Sequence, residues 1–429
     1  MLHYKDKKDS YVKLAIPEHM LYNIRLPVLI YVGYRLYNRL FFKQFLQICV
    51  FGILANIVII PIASVIFRHF MSVISGEENM SFLQSMMLVS VSLFTDPMTI
   101  VELKPNKNFF LFLGIFILGN STLLDIFCPV VKLAARDQTQ NIFHACGFLF
   151  LATLLDIVLG TMLGCLVGIL TSLMSILTRR DPANVYYQST IAVGGTLVSY
   201  FLASFLTLQP ILSVLSCCLV QERYVFNNMD INNIRAVKDG LKALTHLVQG
   251  LFFLFVGYFL ANVESQAVWE PVLVVLTVTY FVKALIMTIC LVLLNIKKKS
   301  SIKEVCSALP MLVFGGSRGP RGWAVVMHCQ RHYHLPLFSD YLLFTIAISV
   351  TLDTFIFKTI SQFMDTDDEQ LEEEEAELET SGCCKWLASV EKKLFNLLVA
   401  DQEATREDDY DNGVKRQKKL EQHAFPEEN

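Results

Sequence analysis

Residues 109–131 read FFLFLGIFILGNSTLLDIFCPVV. This apolar run is long enough to cross about 30 Å of hydrocarbon as a helix. It contains one side chain charged at neutral pH, Asp125. A carboxylate at that depth costs several kcal/mol, and a chain that keeps one there has a use for it or a partner for it. Working outward, runs of similar character recur at 24–38, 44–66, 82–103, 141–177, 186–206, 209–221, 238–262, 267–295, 306–327 and 338–363. With 108–133 they make about eleven membrane segments and predict an all-α polytopic membrane protein. The 24–38 and 209–221 segments are short enough for half-helices. The 141–177 run is long enough for a strongly tilted helix or one that continues past the interface.

Composition agrees. The chain of 429 residues is 54% hydrophobic and only 17% charged, with mean hydropathy +0.47, where soluble domains carry about 25% charged residues. This excludes a nucleic-acid binder, a collagen-like or disordered chain, and a soluble enzyme built around one pocket. The net charge of −3 averages a basic start against an acidic tail. The 11 cysteines fall mostly inside apolar runs without regular spacing, so they read as small buried side chains rather than disulfides or a zinc module.

Charge divides the chain into a polar segment (1–23), a transmembrane domain (24–365) and a tail (366–429). One set of connections holds Arg35, Arg39, Lys43, Lys104, Lys107, Arg179, Arg180, Arg223, Arg235, Lys238, Lys242, Lys297–Lys299 and Lys303. The opposite set holds little beyond Arg68, Lys132, Arg136 and Arg331. The first set is therefore expected in the cytosol, with the tail on the same side. The lysine-rich N-terminus then falls outside, against the same rule. The tail opens with an acidic linker and continues into a candidate amphipathic helix, 383–400, with Trp386, Leu387, Val390, Leu394, Leu397 and Leu398 on one face. Cys383 and Cys384 at its start are candidates for palmitoylation, an unmodified tail helix being the plainer reading. Asn79-Met80-Ser81 is a sequon in an expected outside loop, whereas Asn120-Ser121-Thr122 lies in mid-membrane.

Besides Asp125, the expensive groups are Asp96, Lys283, Arg318, Asp353 and Asp156. Any one of them alone reads equally well as an interhelical ion pair or a snorkelling side chain. Two sit where a helix should break. Pro97 follows Asp96 and forbids regular helix before it; Pro310, Gly315, Gly316, Gly319, Pro320 and Gly322 surround Arg318. Paired Gly/Pro-interrupted helices in the two halves of a membrane chain mark the ion site of an inverted-repeat transporter. There the exposed half-helix ends need an acid and a base, the roles for which Asp96 and Arg318 are the right types. Asp125 is then the candidate ion carboxylate.

These residues resemble a family. Thr95-Asp96-Pro97-Met98-Thr99, Gly119-Asn120-Ser121-Thr122-Leu123-Leu124-Asp125 and Phe314-Gly315-Gly316-Ser317-Arg318-Gly319 are similar to TDPVTV, GESLLNDA and YGGLRGA of the sodium/proton exchangers, in the monovalent cation/proton antiporter group. Weaker matches cover Leu26-Pro27 to Gly33-Tyr34 and Leu251–Gly257. The resemblance implies thirteen helices in inverted repeats with two crossing, unwound helices, a core domain moving against a dimerisation domain, and exchange of Na+, K+ or Li+ for H+. It implies ion-binding and transport roles for Asp125, Asp96 and Thr95, and charge compensation in the core by Arg318, Lys283 and Asn120. It also implies a homodimer in the lipid bilayer, in the plasma membrane rather than an endomembrane, with an EF-hand-type protein on the tail helix 383–400. Because the match begins at the family's third helix, a divergent and N-terminally shortened member is expected, which would account for the odd N-terminus.

The departures are specific. The family's glutamate in GES is Asn120, and the arginine that normally pairs with it matches Lys283. The Asn before the carrier aspartate is Leu124; two further acids fall at Tyr31 and Gln249. Two readings compete. Asp125 is an alternately protonated and ion-bound carboxylate whose pKa burial raises; or Lys283, stripped of its old partner, pairs with it and leaves a transporter that is slow, electrogenic or inactive, in the last case a regulatory or assembly subunit. Other chemistry finds little support. His328-Cys329-Gln330-Arg331-His332-Tyr333-His334 lacks a second ligand pair at zinc spacing. Ser121 and Ser317 have no histidine base in reach, and Gly315–Gly319 follows no strand and lacks a phosphate loop's ending. Neither an enzyme nor a cofactor nor a nucleic-acid partner is expected.

Overall fold

The computed structural model describes residues 26–36, 41–42, 44–75, 82–95, 109–135, 142–178, 185–229, 231–261 and 269–298, and a few positions between 309 and 348. Among the described residues there is no strand. The helices are α1 (Leu26–Leu36), α2 (Phe45–Cys49), α3 (Ala55–Ser75), α4 (Phe82–Ser92), α5 (Phe109–Ala135), α6 (Ile142–Thr178), α7 (Val185–Phe205), α8 (Pro210–Tyr224), α9 (Ile231–Ala261) and α10 (Trp269–Lys298). A π-helical turn, Val50–Leu54, joins α2 to α3, and a 3-10 turn, Phe226–Asn228, follows α8.

Among the described residues, three stretches are long and apolar enough to cross a membrane: Phe45–Val73, Leu151–Leu177 and Glu270–Leu293. The 37 residues of α6 give a rod of about 55 Å at 1.5 Å per residue, well beyond one hydrocarbon thickness. Its outer stripe is Leu151, Leu155, Val158, Met162, Leu166, Leu170 and Leu177, all exposed. Its inner stripe is small and polar: Gly160, Gly164, Gly168, Thr171, Ser172 and Ser175. Large apolar groups outside and small ones inside is the pattern of a helix solvated by lipid. The small stripe lets α8 approach backbone to backbone. A Cβ on Gly164 would collide with the Ser213 carbonyl and the Ser216 hydroxyl.

The helices pack as two groups. In the first, α6, α7 and α8 lie together, with α1 against α8 and α9. In the second, the α2–π–α3 rod packs on α5, α4 and α10, and α4 lies along α5. A thinner seam, where α5 meets α6, α8 and α1, joins the groups, and one apolar core runs through both. Two features were not legible as segments. The π turn lies upstream of Pro61, which sits inside α3 and removes one ladder hydrogen bond there. Within the expected 82–103 crossing, α4 ends at Ser92, five residues short of Pro97, and residues 96–103 lie outside the described residues; the reason for the ending lies in what Thr95 bonds to.

Candidate functional site

After Ser92 the α4 chain tightens. The Leu93 and Phe94 amides donate to the Ser90 and Val91 carbonyls at 3.2 Å each, spacing of the 3-10 kind. Thr95 then leaves the helix and finds its partner on α5. The Thr95 N–H donates to Asn120 Oδ1 at 2.9 Å, the Thr95 hydroxyl reaches the same oxygen at 3.3 Å, and Asn120 Nδ2 donates to the Thr95 carbonyl at 2.6 Å. The Asn120 amide therefore closes a ring with both polar groups of one residue's backbone. That pairing fixes the amide's orientation, because one end must accept and the other donate. Both residues are buried, at 7% exposure each, where an unpaired backbone group would cost about 1–3 kcal/mol. The hydroxyl proton of Thr95 is spent on Asn120, which leaves that oxygen's lone pairs for another ligand.

The approach depends on glycine. A Cβ on Gly119 would sit 2.9 Å from Asn56 Nδ2, and one on Gly52 would sit 3.1 Å from the Ile115 carbonyl. Asn56 in turn donates to the Gly52 carbonyl at 2.7 Å, across the π turn. Ser121 and Thr122 are fully buried, and their hydroxyls both bond back to the Leu118 carbonyl, at 3.0 and 2.9 Å.

Lys283 of α10 is buried at 7% exposure, its ammonium 5.7 Å from the centre of the Phe116 ring. Phe116 and Asn120 are four apart on α5 and share a helix face. The base is thus brought to within one turn of the amide that replaces the family's acid. Asp125 lies on helical backbone one turn beyond Ser121; its side chain, like that of Leu124, is outside the described residues. Asp96, Arg318, Asp353, the His328–His334 cluster, Asn79 and the tail helix 383–400 also lie outside them. Asp156 is half-buried on α6 and Gln249 half-buried on α9. Tyr31 is buried, with the Arg35 guanidinium 5.9 Å from its ring centre.

Sequence reasoning passed over the neutral amides. Gln209, in the α7–α8 turn, donates from Nε2 to the Ser121 carbonyl at 2.9 Å. Gln221, at the end of α8, accepts from the Tyr34 hydroxyl at 2.8 Å and donates to Thr171 Oγ1 at 3.0 Å. Neither carries a charge, so a search for expensive ionisable groups does not select them. Past the expected 209–221 crossing, the Glu222 carboxylate pairs with Lys238 at 2.6 Å. Burial raises the Glu222 pKa above the usual range, and the Lys238 ammonium pulls it partly back. Among the described residues no cluster of three His, Cys, Asp or Glu is placed to hold a metal.

Residues 15–364 match the family described as "Sodium/hydrogen exchanger, transmembrane". Relatives include an uncharacterized Na+/H+ antiporter of Schizosaccharomyces pombe, 21% identical over 264 residues, covering 60% of this chain and 45% of that one. Sodium/hydrogen exchanger 3 of Homo sapiens is 22% identical over 317 residues, 70% of this chain and 36% of that one. The chain thus spans less than half the length of these curated relatives. Among solved structures, the sodium proton antiporter MjNhaP1 of Methanocaldococcus jannaschii superposes with a TM-score of 0.58 at 14% identity, over 81% of this chain and 87% of that one. At that identity the likeness establishes the all-helical antiporter fold.

Proposed function

The chain belongs to the sodium/hydrogen exchanger family, and on that premise we propose that it exchanges Na+ or another monovalent cation for H+ across a membrane by alternating access, with Asp125 as the carboxylate that carries ion and proton in turn. The observation that carries this reading is the Thr95–Asn120 ring. It pins the chain just past the end of α4 against α5, one residue before Asp96 and five before Asp125. Interrupted backbone at membrane depth is kept where it lines an ion path. The Thr95 hydroxyl oxygen, with its lone pairs free of the Asn120 bond, is an added oxygen ligand. A carboxylate there that is either protonated or ion-bound makes cation and proton compete for one site. Asp96 and Arg318 compensate the half-helix ends. The same proposal places the protein as a homodimer in the plasma membrane, with a cytosolic tail whose helix 383–400 offers an apolar face to an EF-hand-type partner.

One observation favours the second reading, a transport-inactive subunit. The Thr95 carbonyl already accepts a hydrogen bond from Asn120 Nδ2 at 2.6 Å, which makes that oxygen a poorer ligand for a cation. A proteoliposome assay with an imposed pH gradient, run with Na+, K+ and Li+ separately, separates the two. Antiport predicts a cation-dependent proton flux that vanishes in Asp125→Asn, which keeps size and hydrogen bonding but removes the charge. Folded wild-type protein without any cation response would favour the inactive subunit; flux persisting at wild-type rate in Asp125→Asn would remove Asp125 from its role.

A further inference from the structure

The two helix groups are each stitched by their own polar bonds. Tyr34, Gln221 and Thr171 tie α1, α8 and α6; Asn120 ties α4 to α5. The Gln209–Ser121 bond does something different, because it crosses the seam from the α7–α8 turn to α5. We propose that Gln209 is a neutral latch that stabilises this one alignment of the two groups, and that it is a positioning residue for transport. The functional half of this inference rests on the antiport reading; the contact itself does not.

Gln209 is held firmly on its own side. Thr207 before it has φ 57°, a left-handed conformation that a β-branched residue adopts only when its surroundings impose it. The Leu208 amide donates to the Ala203 carbonyl at 2.9 Å, and the Gln209 carbonyl accepts the Ser213 amide at 3.3 Å. Pro210, with its fixed φ, opens α8. The Gln209 carbonyl also lies against Gly160 of α6, where an added Cβ would stand 3.0 Å away. From this rigid turn a side chain only 2% exposed reaches into the middle of α5.

The acceptor it chooses is informative. In an α-helix the carbonyl of residue 121 receives the amide of residue 125, so Gln209 shares an acceptor with the backbone of Asp125. A slide of the groups by about 1 Å carries a 2.9 Å bond past hydrogen-bonding distance. The bond therefore belongs to one alignment and is lost in another. An uncharged amide suits this job, because breaking it strands no buried charge. A bond of ordinary net strength biases the two alignments by about fivefold.

The test compares wild type, Gln209→Met (similar length, no donor) and Gln209→Leu (apolar, no donor) as full chains in lipid nanodiscs without cation. Hydrogen–deuterium exchange of peptides covering 119–126 and 207–212 should quicken about fivefold in both variants, by the bias above. Peptides containing Tyr34, Thr171 and Gln221 should stay at the wild-type rate. Unchanged uptake over 119–126, or a rise spread evenly through α7 and α8, would overturn the latch and leave Gln209 as turn packing. In oriented liposomes the half-saturating cation concentration should rise on one membrane face and fall on the other, since releasing a latch depopulates one access state in favour of its opposite. A change of the same sign on both faces would also overturn it. If the wild type exchanges no cation, the antiport reading falls while the uptake comparison still decides the latch.

Discussion

The two helix groups use polar side chains for different purposes. In the α1–α6–α7–α8–α9 group, side chains bond mainly to one another or to intact helices: Tyr34 to Gln221, Gln221 to Thr171, Asn233 to Gln188 and the Ser199 hydroxyl to that of Ser213. In the α2–π–α3–α4–α5–α10 group, the amides serve backbone that has left regular helix: Asn120 at Thr95 and Asn56 at the π turn. The first arrangement makes a stiff scaffold. The second stabilises irregular backbone at membrane depth, which is where ion ligands are found in transporters. If the contrast is real, packing defects should be costliest in the scaffold, and lost amides should be costliest at the broken helix.

The largest effect is expected at Gly164. Its Cβ position is already filled by Ser213 and Ser216, and neither the carbonyl nor the helix bearing it moves cheaply. Gly164→Leu should cost on the order of 3 kcal/mol or more, read as loss of monodisperse protein or a collapse of the melting temperature. Gly240 on α9 is the internal control, because nothing lies within 4 Å of its Cβ position. There Gly240→Ala should gain up to about 1 kcal/mol of helix stability. Equal melting shifts in the two variants would mean that the scaffold is not close-packed at α6–α8.

Next comes Asn120→Leu, which strands the Thr95 amide and carbonyl together. At about 1–3 kcal/mol for each buried unsatisfied group, the variant should melt well below wild type and lose any cation-dependent flux. Asn120→Glu separates structure from electrostatics. It keeps an acceptor, loses the donor to the Thr95 carbonyl, and places a carboxylate one turn from Phe116, over whose ring Lys283 sits. If Lys283 restrains Asp125, flux in Asn120→Glu should exceed that in Asn120→Gln and persist to higher pH. Glu and Gln variants that behave alike would show that Lys283 does not hold Asp125.

Much of the fold was legible, for a simple reason. Hydropathy reports what sits in hydrocarbon, so the expected 108–133 and 141–177 match α5 (Phe109–Ala135) and α6 (Ile142–Thr178) closely. The same signal fails where a helix leaves the membrane. The segment expected from 238 begins at Ile231, because its first turns carry Asn233, Arg235 and Lys238 and yet remain helical. The site was legible only through its charges. Asn120 reads in the sequence as a lost acid; in three dimensions it is a donor and acceptor matched to the Thr95 backbone. Gln209 and Gln221 also bond across helices through their amides, but nothing in one sequence distinguishes a buried glutamine from a solvated one. The π turn at Val50–Leu54 has no compositional signature, since it is an insertion in hydrogen-bond register.

The smallest expected effect tests the scaffold's polar edge. Glu222 is largely buried, its carboxylate bonded to Lys238, whose ammonium also lies 5.2 Å from the Phe226 ring centre. Tyr34 and Cys218 lie close enough to feel its charge. Burial raises its pKa in the folded protein above the ordinary value of 4.5, and Lys238 offsets only part of that rise. Between the ordinary and the raised value the folded state holds this proton more tightly than the unfolded state does. Stability must therefore fall as pH rises through that window, and level off once the folded protein has also released the proton. Glu222→Gln removes the titration, while Lys238, with a side chain 40% exposed, keeps access to solvent. Melting temperatures measured from pH 4.5 upward should decline in wild type and run flatter in the variant. Parallel profiles would mean that another group governs the slope, and that the Glu222–Lys238 pair is as well solvated as an ordinary surface ion pair.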